Sequence, residues 1–385
     1  MSRRARAAAA IAAGVLAATV ASCASVSSQA HSRATPPPPL SLATTLVTPG
    51  GTWAVAELGG SAARNNNFWQ LFERPAGSTT WRLVTPPGVA SNGGLVMAGL
   101  GGPSLIAGFR PSQLLKFTPL ATTRDSGSTW SPSVLAAALA DVPDALAAAP
   151  GSGRLLALLA GGRVDQAGPG AATWTSLTSA HALAAAATSR RCSPDTLDAV
   201  SFSPSGDPVL GTACTRPGAV GIFSYAAGAW RMAGPVLPEP LAGRQIQVLR
   251  LTSTPSGEAA LLAARSGRST ELLVARTTDG THWTVSRPLS LGTPAVRASG
   301  FAAAGGAWVL LDNGQGYTVS GQNAAWRRLP RPPAATAALA FGPAASIDAL
   351  AARGSRLTDW QLARGSVTWR QAQVLPVPVP YGSSG

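Results

Sequence analysis

The chain has 385 residues, with 42 Gly, 32 Pro, 45% hydrophobic residues and a formal net charge of +14. That apolar content excludes disorder of the whole chain. Three Cys and three His exclude a disulfide-dense scaffold, a Cys-based zinc domain and a His-rich metal site, so no metal or cofactor is expected. A single lysine, Lys116, among 30 basic residues reads as the codon bias of a high-GC bacterium rather than as a function.

Arg3, Arg4 and Arg6 form a positive leader, and Ala7 to Val20 is an apolar run. The run suits a signal segment and is short of the about 20 residues that span a bilayer. Val20-Ala21-Ser22-Cys23 follows at once. It resembles the bacterial lipobox: an aliphatic residue, two small residues, then Cys. The resemblance implies a lipoprotein signal peptide over 1–22, diacylation of Cys23, and a lipid anchor on the extracytoplasmic face of the cell membrane. The other reading is a plain secretory signal cleaved near Ala24 or Ala30. Residues 23–40 read as a tether, because Pro36 to Pro39 favours extended, semi-rigid polyproline II.

From 41 to 380 the chain repeats. A Trp closes a polar, Gly-bearing turn at Trp81, Trp130, Trp174, Trp230, Trp283, Trp326 and Trp369, at intervals of 43 to 56 residues. Upstream, short apolar runs flank Pro/Gly turns. Leu197–Phe202 precedes Ser203-Pro204-Ser205-Gly206 and then Val209–Ala213. Ile246–Leu251 precedes Pro255-Ser256-Gly257 and then Ala259–Ala264. Gly50-Gly51 precedes Trp53–Ala56, and Ala302–Ala304 with Gly305-Gly306 precedes Trp308–Leu311. Trp69-Gln70-Leu71 and Trp360-Gln361-Leu362 each fall one strand before the closing Trp. Four short strands per unit of about 45 residues predict an all-β β-propeller of seven blades, each of four antiparallel strands. The Ala-rich pieces Val134–Leu139 and His181–Ala187 compete as helices but are short and interrupted.

Thr123-Arg124-Asp125-Ser126-Gly127-Ser128-Thr129-Trp130 and the shorter Thr277-Thr278-Asp279-Gly280-Thr281-His282-Trp283 resemble the Asp-box, or BNR repeat, of sialidase-like propellers. The resemblance implies a structural role at hairpins on the blade periphery. Asp accepts backbone N–H bonds, Gly supplies a positive φ, and Trp buries its ring between sheets. The alternative function it implies is a surface sialidase-like glycoside hydrolase, which needs an Arg cluster, a Tyr nucleophile with a Glu partner and an Asp acid/base. The chain departs from that pattern. Tyr is limited to Tyr225, Tyr317 and Tyr381, Glu to Glu57, Glu73, Glu239, Glu258 and Glu271, and Phe109-Arg110-Pro111 is a faint echo of the family's Arg element.

Cys192 and Cys214 lie 22 apart within one unit, and in an exported protein such a pair is expected as a disulfide rather than two free thiols. Asp195/Asp198 and Asp141/Asp144 read as loop capping beside Pro194 and Pro143. Gly99-Leu100-Gly101-Gly102 runs into Pro103 and reads as a turn, not a nucleotide loop. The clusters Arg190-Arg191 and Arg327-Arg328 with Arg331 suit an anionic partner, and nucleic acid is not expected. These readings converge on a non-catalytic, lipid-anchored cell-envelope propeller with no catalytic residue, binding a protein or an envelope polymer.

Overall fold

The computed structural model describes residues 45–59, 67–86, 94–109, 120–131, 143–149, 151–169, 173–186, 190–254, 257–320 and 324–378. Two units divide the chain, Met1–Pro36 and Pro37–Gly385, and every described residue belongs to the second. The expected signal segment, Cys23, the tether, Val134–Leu139 and Tyr381 lie outside the described residues.

Antiparallel meanders follow one another along the chain. The first runs β1 (Thr45–Thr48), β2 (Gly51–Gly59), β3 (Asn67–Pro75) and β4 (Arg82–Leu83). Next come β5 (Leu95–Gly101), β6 (Ser104–Phe109) and β7 (Leu120–Thr123), then β8 (Ala145–Ala148), β9 (Leu155–Leu159), β10 (Arg163–Ala167) and β11 (Trp174–Ser179). A six-residue helix, α1 (Ala180–Ala185), is capped by Ser179, whose Oγ accepts the Ala182 N–H. β12 (Pro194–Phe202), β13 (Pro208–Cys214), β14 (Gly221–Ala226) and β15 (Ala229–Met232) precede β16 (Gln245–Thr254), β17 (Gly257–Ser266), β18 (Ser269–Thr277), β19 (Trp283–Val285) and β20 (Leu289–Gly292). Single pairing of Ala213 with Gln247 joins these two groups into one nine-stranded sheet, with β12 and β20 as side branches on β13 and β18. The chain ends on β21 (Val296–Phe301), β22 (Ala307–Leu311), β23 (Gly316–Val319) and β24 (Arg327–Arg328), then β25 (Thr336–Phe341), β26 (Ile347–Arg353), β27 (Arg356–Leu362) and β28 (Arg370–Pro376).

The second strand of each meander is apolar on both faces, as in Leu155-Leu156-Ala157-Leu158-Leu159 and Ala307-Trp308-Val309-Leu310-Leu311. Successive side chains point to opposite faces, so such a strand serves two neighbours at once. Trp53 and Val55 meet Leu95, Met97 and Leu105 of the following meander, while Ala54, Ala56 and Leu58 face the other way. The same sharing links β6 with β9, β9 with β13, β13 with β17, β17 with β22, and β22 with β26. A further cluster joins Ala340, Leu350 and Leu357 near the C-terminal end to Ala54, Phe72 and Trp81 near the N-terminal end. Packing that returns to its starting sheet makes the molecule a β-propeller.

Ring closure uses side chains and one backbone bond, from the Gly59 N–H to Gly354 O at 3.0 Å. Within the described residues all four strands of the first sheet come from one end of the chain and all four of the last from the other. Arg74 Nη1 on β3 bonds Asp348 Oδ2 on β26, and Arg74 Nη2 donates to Phe341 O at 2.8 Å. Gln373 on β28 grips the Trp81 backbone from both sides. Its Oε1 accepts the Trp81 N–H at 2.7 Å and its Nε2 donates to Trp81 O at 2.8 Å.

Sequence and structure differ at Asp195 and Asp198, read as loop caps but lying within β12, and at one hairpin. Ala302–Ala304 is not a strand, because β21 stops at Phe301 and Ala302 to Gly306 form the turn, with the Gly305 N–H on Ala302 O at 2.9 Å. An alanine run carries no strand preference of its own and yields to the closing turn.

Candidate functional site

The strands nearest the axis are the first of each meander. β1, β5, β8, β12 and β16 line one cavity of about 650 Å³, together with Ala303 in the turn after β21. Its walls are largely apolar, from Leu46, Val96, Met97, Leu146, Val200 and Leu251. Small residues at Ala98, Ala147 and Ala199 let these strands crowd together, and the hairpin residues Pro49, Gly101, Gly151, Pro204 and Thr254 surround one end. Volumes of about 300–1,000 Å³ with apolar walls and few polar groups are the usual form of a small-ligand site.

Among the described lining residues there is one guanidinium, Arg250, and one carboxylate, Asp144. Arg250 lies on β16 beside a register shift between Val248 and Arg250. The side chain is 5% exposed. Nη1 donates to Ser299 O at 2.7 Å and Nη2 to Thr45 O at 2.9 Å, so the group ties β16 to β21 and β1. Burial pulls its guanidinium down to about 10. Trp308 Nε1 donates to Thr45 Oγ1 at 3.1 Å, fixing the first described residue of the chain beside β22.

Paired carboxylates for hydrolysis at the axis are not found among the described lining residues, and no Tyr or Glu lines the cavity. Tyr225 on β14 stacks at 5.0 Å on Trp230, and Tyr317 on β23 packs against the β17–β22 core. Glu73 bonds Arg82 at 2.8 Å and Glu271 bonds Arg244 at 3.1 Å, both away from the axis. Glu258 is buried on β17, and desolvation pushes its carboxyl up to about 8, which leaves it neutral at pH 7. Asp198 is half-buried, and burial raises its carboxyl. It accepts from Thr196 Oγ1 at 3.0 Å and Gln247 Nε2 at 3.3 Å, which links β12 to β16.

Both Asp-bearing turns lie between the third strand of a meander and the Trp that opens its outer edge. In the first, Asp125 Oδ1 accepts from Thr123 Oγ1 at 2.8 Å and from the Thr129 N–H at 2.8 Å, and Oδ2 accepts from Thr129 Oγ1 at 2.6 Å. Gly127 has φ +81° and its missing Cβ would sit 2.6 Å from Val84 Cβ, so both its backbone and its position demand glycine. Trp130 Nε1 donates to Val84 O at 2.9 Å, reaching the preceding sheet. The second turn repeats this. Asp279 Oδ1 accepts the N–H groups of Thr281 and His282 at 2.8 and 2.7 Å, Thr277 Oγ1 accepts the Gly280 N–H at 2.9 Å, and Trp283 Nε1 donates to Ala233 O. Trp369 Nε1 bonds Pro330 O at 3.1 Å in the same way without an Asp. Trp81 and Trp174 are buried, while Trp230 and Trp326 pack half-buried against their cores.

Those hydrogen bonds hold the Asp125 carboxyl at about 2, below its ordinary 3.8, with the Thr129 hydroxyl the largest cause. A depressed carboxyl stabilises the fold above pH 3.8, and that contribution is lost as pH falls toward about 2. Asp125→Asn is therefore expected to lower the urea midpoint at pH 7 and to narrow its gap from wild type between about pH 4 and pH 2. A gap that is constant across that window would show that the turn does not depend on the charge.

Sequence reasoning missed Arg250. Its signal was an Arg inside the apolar strand Ile246-Gln247-Val248-Leu249-Arg250-Leu251. Several arginines outside the clusters Arg190-Arg191 and Arg327-Arg328 with Arg331 serve between sheets. Arg154 donates to Gly206 O, Arg276 to Gly305 O and Arg297 to Thr336 O, each on the adjacent sheet. Cys192 and Cys214 are disulfide-bonded, with Cα atoms 4.7 Å apart.

No protein-family model matches the chain, and no curated protein matches it. Solved structures of similar shape include YCF48 bound to a D1 peptide, with 16% identity, a TM-score of 0.42, and coverage of 74% of this chain and 80% of that one. A Lactobacillus plantarum protein shares 11% identity at a TM-score of 0.48, covering 85% and 97%. The Cps50 (Swd1) β-propeller domain of Myceliophteria thermophila shares 10% identity at 0.46, covering 87% and 97%. Likeness at this level says nothing about what this chain binds.

Proposed function

We propose that this chain is a non-catalytic binding protein: a seven-bladed propeller over 41–380, held on the extracytoplasmic face of the cell membrane by acyl chains on Cys23, with 1–22 removed and 23–40 as its tether. The carrying observation is the axial cavity, whose described walls offer apolar surface and one cation but a single carboxylate. Such walls suit holding a ligand and supply no acid/base pair. The exposed arginines Arg190, Arg191, Arg327 and Arg331 favour an envelope protein or polymer of negative charge as a second partner at the rim. The Asp-box resemblance supports the blade periphery and assigns no catalytic residue.

The anchoring is tested by fractionating cells that express the full chain. Wild type is expected in the membrane fraction, released by detergent, whereas Cys23→Ala is expected unprocessed or released, because two acyl chains give stable attachment. Unchanged membrane retention of Cys23→Ala would overturn the anchor. The same purified protein is expected to turn over no fluorogenic sialoside or aryl glycoside, and turnover abolished by Tyr317→Phe would overturn the non-catalytic reading.

A further inference from the structure

Arg250 is a buried cation on the cavity wall with no counter-charge among the described residues. Among the described residues no carboxylate forms an ion pair with it, and its two hydrogen-bond partners are neutral carbonyls. Phe301 lies against the guanidinium, 5.3 Å from Cζ to the ring centroid. Arg74, the other buried arginine of the core, contrasts with it, having Asp348 in contact and Asp359 close by. Burying an uncompensated charge is costly, and the two groups that Arg250 bonds are both neutral. A guanidinium has five N–H donors, so two carbonyl bonds orient it and leave donors over. The cavity beside it is apolar and roomy, and the other charged lining residue, Asp144, stands at the start of β8, separated from β16 by β12 along the wall.

We propose that the axial cavity binds an amphipathic organic anion, a carboxylate with an apolar body, and that Arg250 pairs with its headgroup. The inference rests on the binding-protein reading above and names the ligand class for its cavity. The body lies along Leu46, Val96, Met97, Leu146 and Leu251, where it loses water at no polar cost, and the carboxylate supplies the missing counter-charge. Charge-assisted bonds of this kind are the stronger class of hydrogen bond, and a site built for one rejects an uncharged isostere.

The test is isothermal titration of the full-length chain with dodecanoate, with dodecanol as the uncharged probe. Wild type is expected to bind dodecanoate at least about tenfold more tightly than dodecanol, the scale of one hydrogen bond to a charged group. Arg250→Gln is expected to lose about tenfold or more for dodecanoate and little for dodecanol. Because Arg250 also ties three inner strands, Thr252→Trp provides a second variant. Thr252 lines the cavity and its hydroxyl donates only to Ser253 O, so the indole fills the site without removing those ties, and loss of both probes is expected. Equal affinity of wild type for the two probes, abolished by Thr252→Trp, would overturn the Arg250 pairing while leaving the cavity as a binding site. Absence of dodecanoate binding, or binding unchanged in both variants, would overturn the inference, and the membrane fractionation above judges the anchored-protein reading separately.

Discussion

Asp348→Ala is expected to lower folding stability by about 3–5 kcal/mol, the range for stripping one partner from a buried ion pair. The side chains of Arg74 and Asp348 are 5% and 0% exposed, so the orphaned guanidinium cannot turn to water. Asp359, also fully buried, faces the same guanidinium, and burial raises its carboxyl while Arg74 pulls it down. That second carboxylate cushions the loss toward the lower end of the range. Arg74 stacks on Trp81 at 5.0 Å as well, so the change loosens packing as well as charge. Guanidinium chloride titration at pH 7 would measure it as a lower midpoint at unchanged slope. Arg74→Met combined with Asp348→Leu and Asp359→Leu is expected to recover much of the loss, because an apolar cluster carries no desolvation cost. An Asp348→Ala midpoint within error of wild type would show that the ring closes without this pair.

Removing the disulfide with Cys192→Ala and Cys214→Ala is expected to cost about 3 kcal/mol by the chain-entropy estimate for a loop of 22 residues. The bond ties the approach to β12 to the end of β13, and the backbone continues the ladder beside it, with the Thr215 N–H on Ser193 O at 3.2 Å and the Arg216 N–H on Cys192 O at 3.3 Å. Both Cys are buried, and Cys192 belongs to the core with Phe202, Leu210 and Phe223, so the alanines remove packing too. Denaturation of the wild type with and without reductant separates the two terms, since reduction breaks the bond and leaves the sulfur atoms in place. Equal midpoints under the two conditions would show that the cross-link contributes nothing to stability.

Local chemistry made the strands and hairpins legible. The closing Trp residues marked the outer edge of each meander because a large ring packs there, and Trp130, Trp283 and Trp369 also donate Nε1–H to the preceding sheet, whereas the buried Nε1 atoms of Trp81, Trp174 and Trp326 have no hydrogen-bond partner among the described residues. The turn at Ser203–Gly206 was readable from Pro and Gly alone, and β12 and β13 flank it as expected. The contacts between distant sheets were not legible. Arg74 sits in Phe72-Glu73-Arg74-Pro75, which reads as a strand end and gives no hint that its partner lies 274 residues away. Arg250 was equally hidden, because its meaning depends on Thr45 and Ser299 arriving beside it from other sheets. The pairing of Ala213 with Gln247 has no sequence signature either, since it joins strands of two different meanders.

Side-chain closure has an entropic consequence. Interfaces between successive meanders join segments close in sequence, and the first can form while the rest of the chain is still loose. The bonds from Arg74 to Asp348 and from Gln373 to Trp81 span 274 and 292 residues, the kind of contact whose loop-closure cost is met only once the intervening chain is ordered. An open ring is thus the natural precursor, with every internal interface made and two buried-type surfaces still wet. Among the described residues, a C-shaped chain becomes a sealed one through an apolar face, the bonds of Arg74 to Asp348 and Phe341, the Gln373 clasp on Trp81 and one backbone bond from Gly59 to Gly354.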